Sequence, residues 1–113
     1  MPNILFLTAT WNNTKEFLDR VERHIIANGK PYMRFERDGI ITTNNATLYV
    51  KSMNDNMFGA LPRIDYYASG TDLPCLTDVQ YDIFRNCISI KFSENVLTLS
   101  EAAVMELLTG EIT

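Results

Sequence analysis

The sequence predicts an α/β (or α+β) fold, a layered mixed sheet with helices packed on it, built as one domain over residues 1–113. Three observations predict it. An apolar run at residues 3–8 has the length of a buried strand. A helix with apolar residues at spacings of three and four follows it closely. Alternating segments separated by turn residues then recur toward the carboxyl end.

The elements read in order. The first strand, Asn3 to Thr8, is bounded by Pro2 and by a polar stretch, Thr10 to Thr14, read as a loop. Asn13 is the expected N-cap of the helix, with Glu16 three residues on as in a capping box. Phe17, Leu18, Val21, Ile25 and Ile26 form the expected apolar face, and Asn28-Gly29 the stop. Tyr32 to Glu36 alternates, with Met33 and Phe35 on one side and Tyr32, Arg34 and Glu36 on the other. Asp38-Gly39 and Asn44-Asn45 are turn signals around a short strand at Ile40 to Thr43. Thr47 to Lys51 alternates again, and Met53 to Pro62 reads as a surface loop. Arg63 to Tyr67 is a further strand, and Ala68 to Pro74 a loop. Thr77 or Asp78 caps a short helix carrying Val79, Ile83 and Phe84. Cys87 to Phe92 is a late strand, and a Thr98-x-x-Glu101 box opens a last helix that Gly110 ends. The predicted order is β-α-β-β-β-β-α-β-α. The first helix is long enough to cross over between parallel strands.

Composition narrows the class. An apolar fraction of 46% with 21% charged residues suits a folded chain rather than a disordered one. Cys75, Cys87 and the lone His24 are too few to close a four-ligand zinc site, and Cys87 lies in an apolar run that reads as packing. The run Ile4 to Leu7 is too short for a secretory or membrane-spanning segment, so the expected location is the cytoplasm, with no membrane partner and with reduced thiols. Net charge is −4 and the pI is about 4.8, with ten dispersed basic residues. That balance argues against a nucleic-acid footprint.

One stretch occupies the place of a phosphate-binding loop. Such loops read G-x-x-x-x-G-K-[ST], because glycines let backbone N–H groups surround phosphates, the lysine neutralises them and the hydroxyl holds a metal. Here the segment is Ala9-Thr10-Trp11-Asn12-Asn13-Thr14-Lys15-Glu16. Lys15 is present, both glycines are missing, and Glu16 stands where the hydroxyl belongs. Thr14 and Lys15 are the residues a nucleotide would use.

With that segment, the polar turn and strand Ile41 to Val50, and Gly59 followed by Arg63-Ile64-Asp65-Tyr66-Tyr67, residues 3–72 resemble a P-loop NTPase core of the phage terminase or helicase type with a degenerate Walker A motif. The acid pattern departs from that family: Asp65 comes early in its strand, and Asp72 follows a Ser-Gly loop. The resemblance implies a shrunken, phage-encoded relative that has lost ATP hydrolysis and works in the host cytoplasm. A strand followed by a capped helix, common to many α/β domains, explains the same residues.

No complete catalytic constellation is found, so neither enzymatic activity nor a cofactor is expected. His24 has no recognisable nucleophile beside it. Asp78 and Asp82, four apart, fit a capped helix, and Asp65 and Asp72 bracket a loop. The aromatic residues Trp11, Tyr49, Phe58, Tyr66 and Tyr67 remain as candidates for anchoring a partner. The preferred expectation is a small non-catalytic protein acting through a protein partner or as a homo-oligomer. Nucleotide binding through Thr14 and Lys15 is the first alternative. Nucleic-acid binding, with Tyr32, Arg34, Tyr49 and Lys51 sharing one face, is the second.

Overall fold

The computed structural model describes residues 1–52, 62–69 and 92–110. Its strands are β1 (Asn3–Thr8), β2 (Tyr32–Phe35), β3 (Ile40–Thr43), β4 (Thr47–Ser52), β5 (Ile64–Ser69) and β6 (Phe92–Thr98), and its α-helices are α1 (Trp11–Ala27) and α2 (Glu101–Thr109). The chain has the predicted α/β architecture. The strands form a mixed sheet in the order β2-β3-β4-β1-β5-β6. β1 pairs in parallel with both β4 and β5, and β5 with β6, while β2-β3-β4 is an antiparallel meander. α1 therefore begins the crossover that returns the chain, through β2 and β3, to the parallel neighbour of β1.

The first strand is central because both of its faces are apolar. Ile4 and Phe6 point to the helices, and Leu5 and Leu7 to the opposite face, all at most 1% exposed. A parallel strand flanked on both sides needs such a continuous run. Phe6 stacks on Phe17 of α1 with ring centroids 3.6 Å apart, joining sheet to helix. Leu18, Val21 and Ile25 of α1 complete that layer with Val104 and Leu108 of α2. Arg20 lies 5.5 Å over the Phe17 ring and reaches Glu101 at 3.0 Å, tying the two helices together at their surface.

Several boundaries differ from the sequence reading. α1 starts at Trp11, two residues before Asn13 could cap it. Thr10 is the N-cap: it is extended, and its hydroxyl accepts from the Asn13 backbone N–H at 3.2 Å. Thr10 to Thr14 is thus mostly helix rather than loop. Ile26 is 58% exposed and lies off the buried face that Ile25 occupies. α2 is capped by Ser100 rather than Thr98, with the Ser100 hydroxyl accepting from Ala103 N–H. Thr98 instead ends β6, a strand whose residues beyond Phe92 were not expected. Ala68 and Ser69 extend β5 beyond Tyr67. Residues 53–61 of the loop expected at Met53 to Pro62, the short helix near Thr77, and the Cys87 strand before Phe92 lie outside the described residues, as do Gly59, Asp72 and Cys75.

The stops follow expectation. Past α1, the Gly29 N–H donates to Ile26 O and the Lys30 N–H to Ile25 O, with Gly29 left-handed at φ +65°. These two bonds define a Schellman ending. Gly39, at φ +68°, closes the 3-10 turn Glu36–Asp38 between β2 and β3. No helix among the described residues is long and apolar enough to cross a membrane.

Candidate functional site

Among the described residues two places could carry function, the carboxyl edge of the parallel strands and the β2 edge of the sheet. The first contains the loop-like segment. α1 begins just beyond the end of β1, between the ends of β4 and β5, where α/β sheets commonly bind ligands. Thr14, however, is fully buried. Its hydroxyl lies 2.6 Å from the Thr8 hydroxyl and 3.3 Å from Thr10 O, so it joins β1 to α1. The local reason is helical geometry: a threonine hydroxyl four residues into a helix readily reaches the preceding carbonyl. Lys15 faces outward at 58% exposure, with Nζ 4.0 Å from Glu36. Asp65 lies at the other end of the sheet, where its carboxylate accepts from the Asn3 backbone N–H at 2.9 Å. Four residues of strand separate it from the carboxyl edge, or about 13 Å. The structure does not bring Lys15 and Asp65 together.

The aromatic candidates are also dispersed. Trp11 opens α1 and is 47% exposed. Tyr66 shares its face with Ala68 and packs against the helix-side core. Tyr49 and Tyr67 have the register of Leu5 and lie on the opposite face, each half-buried. Burial raises the Tyr49 phenol above the usual tyrosine range. Phe58 lies outside the described residues. The four residues expected to share one face do not: Tyr32 and Arg34 pair with Thr43 and Ile41 on the helix side, while Tyr49 and Lys51 lie on the other. An even number of residues separates side chains on one strand face, but the faces of different strands are related only through register.

The second place was missed in the sequence. Among the described strands β2 is an edge of the sheet, and its orientation reverses the usual apolar-inward pattern. Tyr32 and Arg34 turn toward α1. Arg34 meets Asp19 at 2.8 Å, Glu22 at 3.3 Å and Glu36 at 3.2 Å. Burial would lower the Arg34 pKa, but the Asp19 hydrogen bond and the charges of Glu22, Asp19 and Glu36 outweigh it and raise it. The Tyr32 hydroxyl donates to Glu22 at 3.1 Å, and burial followed by that bond raises its pKa. Met33 and Phe35 therefore point away from the helices, 59% and 43% exposed. Beside them a cleft of about 160 Å³ is lined by Pro31, Tyr32, Met33, Thr42, Thr43 and Asn44. It is small for a cofactor and fits a single side chain. The signal present in the sequence was the acid pair Asp19 and Glu22, three apart on α1, which draws Arg34 inward.

Among the described residues no group of three His, Cys, Asp or Glu side chains is placed to hold a metal ion. No protein-family model, no curated protein and no solved structure matches this chain.

Proposed function

We propose that this chain is a small, non-catalytic binding protein of the cytoplasm that acts by protein–protein contact, and that the contact runs along β2. The observation that carries the reading is the inversion of that strand. Met33 and Phe35 face solvent while Arg34 is held inward by three carboxylates. A strand serving stability alone gains by turning its apolar side to the core, and a one-residue change of register accomplishes that. Exposed apolar residues on a sheet edge instead mark a surface where another chain can be received. Trp11, exposed at the start of α1, is a second anchor within the same reading, and Tyr49 a partial one.

The test compares the wild-type chain with a Met33→Lys/Phe35→Lys variant for self-association and for capture of defined proteins from a lysate of the source organism. Binding that the variant loses, with its circular dichroism and melting temperature intact, supports the reading. Binding that both proteins share, or none in either, removes the β2 surface from it.

One observation favours a second reading, a P-loop-like nucleotide site: exposed Lys15 lies in the first turns of a helix that starts at the carboxyl edge of the sheet. It predicts a rise in melting temperature with ATP or GTP and Mg²⁺ that Lys15→Ala abolishes. No rise leaves the loop as a structural joint.

A further inference from the structure

We infer that Asn28-Gly29, the step that ends α1, is a site of spontaneous deamidation, closed while the last turn of the helix is formed and open when that turn frays. It stands apart from the binding role proposed above and does not depend on it.

The chemistry lies in the pair itself. The Gly29 backbone nitrogen attacks Cγ of Asn28 and gives up its proton, and Nδ2 leaves as ammonia. A cyclic imide remains, joining the Asn28 side chain to the backbone. Water then opens that ring at one carbonyl or the other. One opening leaves an aspartate at position 28, and the other an isoaspartate, in which the chain runs through the side-chain carbon. The amide and a water are consumed, a carboxylic acid and ammonia are formed, and no oxidant or metal takes part. The attack is easiest where the following residue has no Cβ to crowd the nitrogen. Here that residue is Gly29, and nothing stands within 4 Å of the place a Cβ would take. Both residues are exposed, so water reaches the ring.

The helix ending supplies the gate. Asn28 has ψ 3°, which turns the Gly29 nitrogen toward the Asn28 nitrogen and away from the Asn28 side chain. The Gly29 N–H donates to Ile26 O at 3.0 Å. Nδ2 of Asn28 donates to His24 O at 2.8 Å and lies 3.4 Å from His24 Nε2. Nucleophile and leaving group are therefore each held, and held apart. Attack requires the Gly29 and Lys30 bonds to Ile26 O and Ile25 O to break and the Asn28 backbone to rotate. Those bonds belong to a terminal turn whose residues from Ile26 to Lys30 are all exposed, and such turns open at a far lower free energy than a core.

The product does not fit the place it occupies. A carboxylate at position 28 can no longer donate to His24 O, and it adds a negative charge at the negative end of the α1 dipole. An isoaspartate inserts an extra carbon into the backbone, so the Gly29 and Lys30 N–H groups lose their reach to the last carbonyls of the helix. Either product loosens the end of α1, from which the chain passes directly into β2.

The experiment incubates the full chain at neutral pH, folded and in urea, and follows each asparagine by peptide mapping with mass spectrometry and an isoaspartate assay. Hydrogen exchange at the Gly29 and Lys30 amides is read in parallel. Asn12 and Asn44 are the references, since both are exposed and each is followed by another asparagine. In the folded chain Asn28 is expected to convert ahead of both. It is expected to convert roughly tenfold to thirtyfold more slowly there than in urea, the protection that two backbone bonds of a terminal turn confer. Asn28→Asp, which carries the charge of the product, is expected to lower the exchange protection of Gly29 and Lys30 severalfold. Conversion of Asn28 no faster than that of Asn12 or Asn44 overturns the site. Equal rates in the folded chain and in urea overturn the gate. Wild-type protection in Asn28→Asp overturns the loosening of the helix end.

Discussion

Gly39→Ala is expected to destabilise the fold clearly more than Gly29→Ala, although both glycines are left-handed at nearly the same φ, +68° and +65°. The left-handed backbone costs an L-residue roughly 1–2 kcal/mol, and that term is shared by both substitutions. The smaller gain from a stiffer unfolded chain is also shared. Only the surroundings differ. A Cβ on Gly29 meets nothing within 4 Å, whereas a Cβ on Gly39 collides with the backbone carbonyl oxygen of Val50. That carbonyl belongs to β4 and cannot swing aside as a side chain would. The Gly39–Val50 approach must open, which strains the 2.7 Å bond from Val50 N–H to Gly39 O. Losing one such ladder bond costs about 1 kcal/mol, and an unsatisfied buried group somewhat more. Gly29→Ala should therefore cost about 1 kcal/mol and Gly39→Ala roughly 2–4 kcal/mol. Urea titration of both variants reads the difference, provided the slopes match. Equal losses would refute the argument, since they would mean that the β2–β3 turn yields as freely as the end of α1.

Three other outcomes are expected. Thr10→Ala should cost about 1 kcal/mol of stability, because the hydroxyl that caps α1 belongs to Thr10; chemical denaturation checks the assignment, and a stability equal to wild type would remove Thr10 as the cap. Phe17→Ala removes a fully buried ring stacked on Phe6 and should cost about 3–5 kcal/mol, which on a domain of this size can unfold it at physiological temperature. Burial holds Tyr49 protonated, so its folded pKa lies above its unfolded value near 10. Its contribution is therefore complete below about pH 10 and is lost as pH rises through the folded value. Stability measured above pH 10 should fall less steeply in Tyr49→Phe than in wild type; identical slopes would mean that Tyr49 is already solvated.

Local structure was legible wherever one element explained its own residues. The apolar run at residues 3–8 read as a buried strand, while its central place in the sheet came only with the strand order. The spacing of Phe17, Leu18, Val21, Ile25 and Ile26 marked the buried face of α1 at every position but Ile26, which is exposed, and Asn28-Gly29 marked its end. Asn44-Asn45 marked the turn between β3 and β4, and the fold class followed from the order of elements. Capping was less legible. Thr10 and Asn13 are both good caps, as are Thr98 and Ser100, and only the position of the neighbouring strand end decides between them.

Tertiary structure decided which side of each strand faces inward. Alternation assigned Met33 and Phe35 to one side and Tyr32 and Arg34 to the other, but a period of two is indifferent to which side is buried. That depended on Asp19 and Glu22, residues of another element, drawing Arg34 down onto α1. The same limit scattered Tyr49, Tyr66 and Tyr67 over two faces and sent Asp65 to the edge opposite Lys15. Periodicity is a property of one segment and survives in the sequence. Register, edge position and ion pairing are relations between segments, and they exist only once the chain has brought those segments together.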